Sequence, residues 1–209
     1  MPVMKPVTRL KRADPVLAAL IARTPDKHLD NTDAERPDDH YGSLLRSITG
    51  QQLSVRAAAK IYQRVLDFFG GEIPTPAQIL AADPDALKTA GGLSRAKTNY
   101  LRSLAEHVVS GELELKKLDV LPDDEVIAEL VAVKGIGVWT AHMFLMFHLN
   151  REDVLPTGDL GIRKAMMIEY GLDELPLHAE MVRIAEPWRP HRTLACLYLW
   201  ASIDATPET

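Results

Sequence analysis

The sequence predicts an all-α fold, and three of its features do so. N-cap residues stand before prolines where helices should begin, glycines stand where helices should end, and the apolar spacing between these marks follows the helical period. No convincing period-2 run occurs. With 209 residues, 46% of them hydrophobic, the chain can bury one sizeable core or two lobes that share a cleft.

In chain order, Asp14-Pro15 opens a predicted helix over 15–23. The carboxylate caps a free N–H, and proline at the first helical position lacks an N–H that would go unpaired there. A helix over 42–49 follows, and Ser54 caps one over 54–69. Thr75-Pro76 and Asp83-Pro84 open short helices at 76–81 and 84–90, the second closed by Gly91. Ser94 caps 95–110, where Tyr100, Leu101, Leu104, Ala105 and Val108 share one face and Gly111 ends the run. Asp123 reads as the cap of 124–133. Further helices are predicted over 138–149, over 160–170 with Gly171 beyond it, and over 178–186 and 191–203. The polar, acidic stretch DNTDAERPDD at 30–39 reads as a solvated connection between lobes.

Composition removes several function classes. Apolar runs such as Met143 to Phe147 fall far short of the roughly 20 residues needed to span a bilayer. The N-terminal stretch has charge but no apolar core of a secretory signal, so the expected location is the cytoplasm, without a membrane. Cys196 is alone, which excludes a disulfide framework or a cysteine-ligated cluster, and its apolar run LACLYLW predicts a buried thiol. The histidines lack metal-ligand spacing, so His142, His148 and His191 read as packing or surface residues and a catalytic zinc is not expected. A net charge of −5, from 24 Lys and Arg against 29 Asp and Glu, argues against a blanket electrostatic grip on nucleic acid but not against a local one.

Two stretches carry chemistry. VKGIGVWTA at 133–141 reads as a turn between two helices, with Gly135 free to take positive φ and Gly137 letting a backbone or ligand approach. The first turn of the second helix then offers N–H groups to an anion. Trp139 opens that helix with Met143 one turn on, either as a core aromatic or as a ring on which a base stacks. A plain αα-hairpin with glycines for close packing remains the alternative. In DVLPTGDLGIRK, 153–164, Pro156 and Gly158 bend the chain and place Asp159 at a helix N-cap. It is a structural cap, an ionised carboxylate able to stabilise a developing oxocarbenium ion, or both.

LVAVKGIGVWTAHMF followed by DVLPTGDLGIRKAM resembles the helix-hairpin-helix DNA glycosylases with a Gly/Pro-rich loop and a catalytic aspartate, most closely the 3-methyladenine DNA glycosylase II branch. SLLRSITGQQLSVRAAAKIYQRV at 43–65 and EPWRPHRTLACLYLWASID at 186–204 agree with it. The resemblance implies two helical lobes with an active-site cleft between them in one catalytic unit over 1–209. Lobe A is about 40–150, including the hairpin 124–149, and lobe B about 1–39 plus 151–209. It implies a catalytic Asp159, a base pocket of Trp139, Met143 and Trp200, a wedge at Gln52 or Leu53, and backbone contacts from Lys134, Gly135, Ile136 and Gly137. Arg163, Lys164, Arg189 and Arg192 are further candidate phosphate contacts. Carbonyls of Val131, Val133 and Ile136 match a Na+ or K+ site; no cofactor is implied for catalysis. Trp139 stands where bifunctional relatives carry a Schiff-base lysine, which implies a glycosylase without lyase activity. Met143 replaces a pocket aromatic, which implies a softer pocket.

The implied substrate is double-stranded DNA carrying N-alkylated bases, with the protein as a monomer. N-alkylation makes a base cationic, so it departs neutral without a general acid, and indole faces attract it by ~0.5–2 kcal/mol. Two alternatives stand beside this reading. One is a non-catalytic DNA-binding module in which Asp159 is only a cap; the other is a glycosylase of the same fold for mismatched or oxidised bases.

Overall fold

The computed structural model describes residues 5–24, 37 and 39–204. In chain order its helices are α1 (Pro6–Ala13), α2 (Pro15–Arg23), α3 (His40–Gly50), α4 (Val55–Phe68), α5 (Pro76–Ala81), α6 (Pro84–Gly91), α7 (Arg95–Ser110), α8 (Asp123–Ala132), α9 (Val138–Phe147), α10 (Leu160–Tyr170), α11 (His178–Ala185) and α12 (Arg192–Asp204). Single 3-10 turns occupy Leu115–Lys117 and Glu186–Trp188. The described residues contain no strand, as the punctuation predicts. None of their helices is long and apolar enough to cross a membrane.

Most helix starts are where the caps place them. Asp14 accepts the N–H of Val16 at 2.8 Å and of Leu17 at 3.1 Å, and Asp83 accepts that of Ala86 at 2.7 Å. Thr75 and Gln78 form a reciprocal capping box at the start of α5. Ser54 and Ser94 cap α4 and α7.

Several elements differ from the sequence reading. Helix α1 was not expected, since it is mostly basic and polar and buries only Leu10. Helix α3 starts at His40 because Asp39 accepts the N–H of Gly42 at 2.7 Å. Asp123 is the first residue of α8 rather than its cap; with Asp124 and Glu125 it places negative charge on the helix's positive end. Gly91 ends α6 within the helix, and Gly92 takes the left-handed cap at φ 65°. The connection proposed at 30–39 lies outside the described residues except for Pro37 and Asp39.

The chain divides into two compact units, Glu35–Phe144 and Met1–Ala34 with Leu145–Thr209. In the first, α3, α4, α5, α6 and α7 pack in neighbouring pairs. Leu44, Leu45, Ile48, Val65, Leu87, Leu101 and Leu104 fill the interior. In the second, α10 and α12 pack on each other and on α2, while α1 covers α2 and the turn at Glu186–Trp188. Residues 145–147 of α9 belong to this second unit rather than to the lobe expected to reach residue 150.

Buried Asp14 ties the second unit together. Beyond its capping bonds it accepts the Tyr170 hydroxyl at 2.6 Å and the Trp188 indole N–H at 2.8 Å. Burial, then the bond to Asp14, pushes the Tyr170 phenol far above its ordinary range. The C-terminal end of α10 is thereby fixed, and the other end of that helix carries Asp159.

Candidate active site

The hairpin between α8 and α9 is built by one left-handed residue and braced by α7. Val133 leaves the helix in an extended conformation, and its carbonyl takes the N–H of Ile136 at 3.0 Å. Gly135 has φ +95°, and a Cβ there would lie 2.1 Å from the Tyr100 ring. One helical turn along α7, Ser103 accepts the N–H of Lys134 at 3.2 Å. Gly135 is therefore required twice, by its backbone and by the ring pressed onto it. We expect Gly135→Ala to destabilise the protein by about 2–3 kcal/mol, combining left-handed strain with overpacking. Urea denaturation reads this, and an unchanged midpoint would show that the Tyr100 contact yields freely.

Gly137 differs. A Cβ there would meet nothing within 4 Å, so internal packing gives no reason for glycine. The open space leaves the first N–H groups of α9 accessible to an approaching anion. Trp139 is 47% exposed, which removes the core-aromatic alternative, and Met143 one turn later is half-buried. Ile136 is buried, whereas Lys134 and Val131 are exposed. The turn at 51–53 is bonded to this hairpin, since the Gln51 amide donates to the Gly135 carbonyl at 2.7 Å. Gln52 holds φ 58°, uncommon for a residue with a side chain, and both Gln52 and Leu53 are exposed. Sequence proximity separates these elements by 84 residues, so only the fold reveals the bond.

In the second unit, Asp159 caps α10 as expected, with Oδ1 accepting the N–H of Ile162 at 2.8 Å. The same oxygen accepts the Trp200 indole N–H at 2.9 Å. Trp200 was expected only as a pocket aromatic; here its polar edge holds the carboxylate. Its ring stacks on Phe147 at 5.9 Å and 29°. Gly161 makes this approach possible, since a Cβ there would sit 3.1 Å from the indole and 3.0 Å from Oδ1 of Asp159. A glycine inside the first turn of a helix, where no cap needs it, is the signal that identifies Gly161. Nothing in the sequence singles out Phe147.

Asp159 is 9% exposed, so its carboxylate meets little water. Cys196 is buried as predicted, and burial, then the charge of Asp159, pushes its thiol well above the usual range. Two expected phosphate contacts have other partners. Arg189 and Arg192 both grip Asp153, at 2.7 and 2.8 Å. The Arg163 Nε donates to the Pro176 carbonyl at 3.1 Å, while Lys164 is exposed. Among the described residues, no group of three His, Cys, Asp or Glu side chains is placed to hold a metal.

The chain matches the profile described as HhH-GPD superfamily base excision DNA repair protein over residues 45–190, more than half its length. It is 37% identical over 162 residues to DNA-3-methyladenine glycosylase 1 of Schizosaccharomyces pombe, covering 77% of this chain and 71% of the relative. It is 33% identical over 181 residues to DNA-3-methyladenine glycosylase 2 of Escherichia coli, covering 81% of this chain and 60% of that protein. Among solved structures, the S. pombe 3-methyladenine DNA glycosylase in complex with abasic DNA is similar at a TM-score of 0.80 and 32% identity, covering 99% of this chain and 100% of the other. An 8-oxoguanine glycosylase/lyase of Clostridium acetobutylicum bound to duplex DNA reaches a TM-score of 0.70 at 19% identity, a likeness of fold alone.

Proposed function

The chain belongs to the HhH-GPD superfamily of base excision DNA repair proteins, and from that premise we propose that it is a monofunctional glycosylase excising N-alkylated bases such as 3-methyladenine and 7-methylguanine from duplex DNA. One observation carries the reading: the poorly exposed carboxylate of Asp159 is fixed by the Ile162 N–H and the Trp200 indole N–H. Pre-set anions of this kind stabilise positive charge that develops only in the transition state.

The reaction asks little else of the protein. The C1′–N bond breaks with its electron pair passing to the alkylated base, which leaves neutral. The sugar becomes an oxocarbenium ion opposite the Asp159 carboxylate, water adds at C1′, and its proton passes to solvent. Asp159 offsets the sugar's charge while the ion exists. Trp139 provides the electron-rich face for the cationic base, beside the softer Met143. Without an amine at residue 139 no Schiff base forms, so the product is an intact abasic site.

Substrate DNA is held by the hairpin. The turn at Gly135, Ile136 and Gly137 presents the free N–H groups at the start of α9 to a phosphate with help from Lys134, and the exposed Gln52–Leu53 tip enters the gap left by the flipped nucleotide. The carbonyls of Val131, Val133 and Ile136 would hold a monovalent cation that adds positive charge beside that phosphate. The protein works as a monomer in this reading.

Incubating the protein with methylated duplex DNA tests it. Chromatography should find free 3-methyladenine and 7-methylguanine, and the DNA should nick only after alkali. Binding without release would leave a DNA-binding module, and nicking without alkali would contradict the absence of lyase chemistry.

A further inference from the structure

The turn that delivers Asp159 is gripped at four consecutive residues by the first turn of α12. Thr193 Oγ donates to the Arg151 carbonyl at 2.7 Å and accepts the Val154 N–H at 3.0 Å, while its own N–H meets the Glu152 carbonyl at 3.0 Å. Arg192 takes Asp153 with two prongs, Nε to Oδ1 at 2.8 Å and Nη2 to Oδ2 at 3.1 Å, and adds a bond to its carbonyl at 2.6 Å. At 14% exposure for Arg192 and 25% for Asp153, this pair is shielded and two-pronged, unlike an ordinary surface ion pair.

Beyond the grip the chain has no slack. Val154, Leu155 and Pro156 are buried, and the N–H of Thr157 and of Asp159 bond back to Leu155 and Pro156 at 2.9 Å each. The far end of this segment is held by the same helix, through Trp200 and Asp159. Thr193 and Trp200 are seven residues apart, two helical turns on one face, separated by a rise of about 10 Å. A single rigid element thus sets the distance between the start of the turn and the carboxylate at its end.

Resting on the reading of Asp159 as the catalytic carboxylate, we infer that Arg192 and Thr193 are positioning residues: they hold the 151–158 segment in register on α12 so that Asp159 is presented at the sugar. A clamp serving only stability would need no common helix between its two ends. A misplacement of about 1 Å at a reacting group is enough to slow chemistry as much as 100-fold.

The experiment compares Thr193→Val, which keeps the shape and loses the hydroxyl, with Thr193→Ser, which keeps the hydroxyl. Single-turnover excision and affinity for duplex DNA carrying a tetrahydrofuran abasic analogue are measured at a temperature where thermal melts show each protein folded. Thr193→Val should excise about 10-fold more slowly with affinity changed less than twofold, and Thr193→Ser should keep the parent rate. Should Thr193→Val fail to fold, Arg192→Lys, which keeps the charge and loses the second prong, carries the same expectation. An unchanged rate in the folded variant, or a loss of affinity matching the loss of rate, overturns the inference. Asp159→Asn, run alongside, separates the two readings: if it excises like the parent, the assignment of Asp159 itself falls.

Discussion

Asp159→Asn yields a folded protein that excises alkylated bases at least about 1000-fold more slowly than the parent, near 4 kcal/mol of lost transition-state stabilisation. The substitution is close to isosteric, and asparagine caps helices about as well as aspartate. Its amide oxygen can still receive the Ile162 N–H and the Trp200 indole N–H, which reach Oδ1 at 2.8 and 2.9 Å. What disappears is the negative charge in a site that is 9% exposed, where an oxocarbenium ion has little water to turn to. Thermal melting and affinity for the abasic analogue should therefore stay near parent values while the single-turnover rate collapses. A variant equally inactive because it melts early would show instead that the carboxylate serves α10 as a cap. Parent-like excision by a folded variant would leave the protein without an assigned catalytic group.

The contrast between the local and distant bonds of Asp159 shows what the sequence contains and what it lacks. Its bond to Ile162 spans three residues and follows from a Pro/Gly bend before a helix. The same logic makes Asp14, Ser54, Thr75, Asp83 and Ser94 legible, because a cap is a local bargain between one side chain and the next turn. Its bond to Trp200 spans 41 residues, and no periodicity announces it. Thr193 on Arg151 and Arg192 on Asp153 are hidden for the same reason, although Asp153, Arg192 and Thr193 lie in stretches already singled out. Helix α1 was missed because its eight residues bury a single leucine among basic neighbours, too short an apolar pattern to stand out. Gly135 was legible as a turn residue, but the Tyr100 ring that makes it indispensable comes from another helix.

Trp200→Ala should lower excision by about 100-fold or more, and the companion Trp200→Phe decides why. The alanine variant removes two things at once, the indole N–H on Asp159 and the ring stacked on Phe147. Phenylalanine returns most of the ring but no donor. If the N–H matters, Trp200→Phe binds the abasic analogue like the parent yet stays slow, because Oδ1 loses the indole donor that orients it beside the Ile162 N–H. If Trp200 works only as the pocket aromatic that the sequence suggested, phenylalanine restores the rate together with the stacking face. Gly161 seats the ring in either case. A Cβ there would sit 3.1 Å from both Cδ1 and Nε1 of the indole, so the missing methyl lets the ring lie against the start of α10 whichever role it plays. Parent-like excision by Trp200→Phe would therefore assign Trp200 to stacking and remove its N–H from the positioning of Asp159.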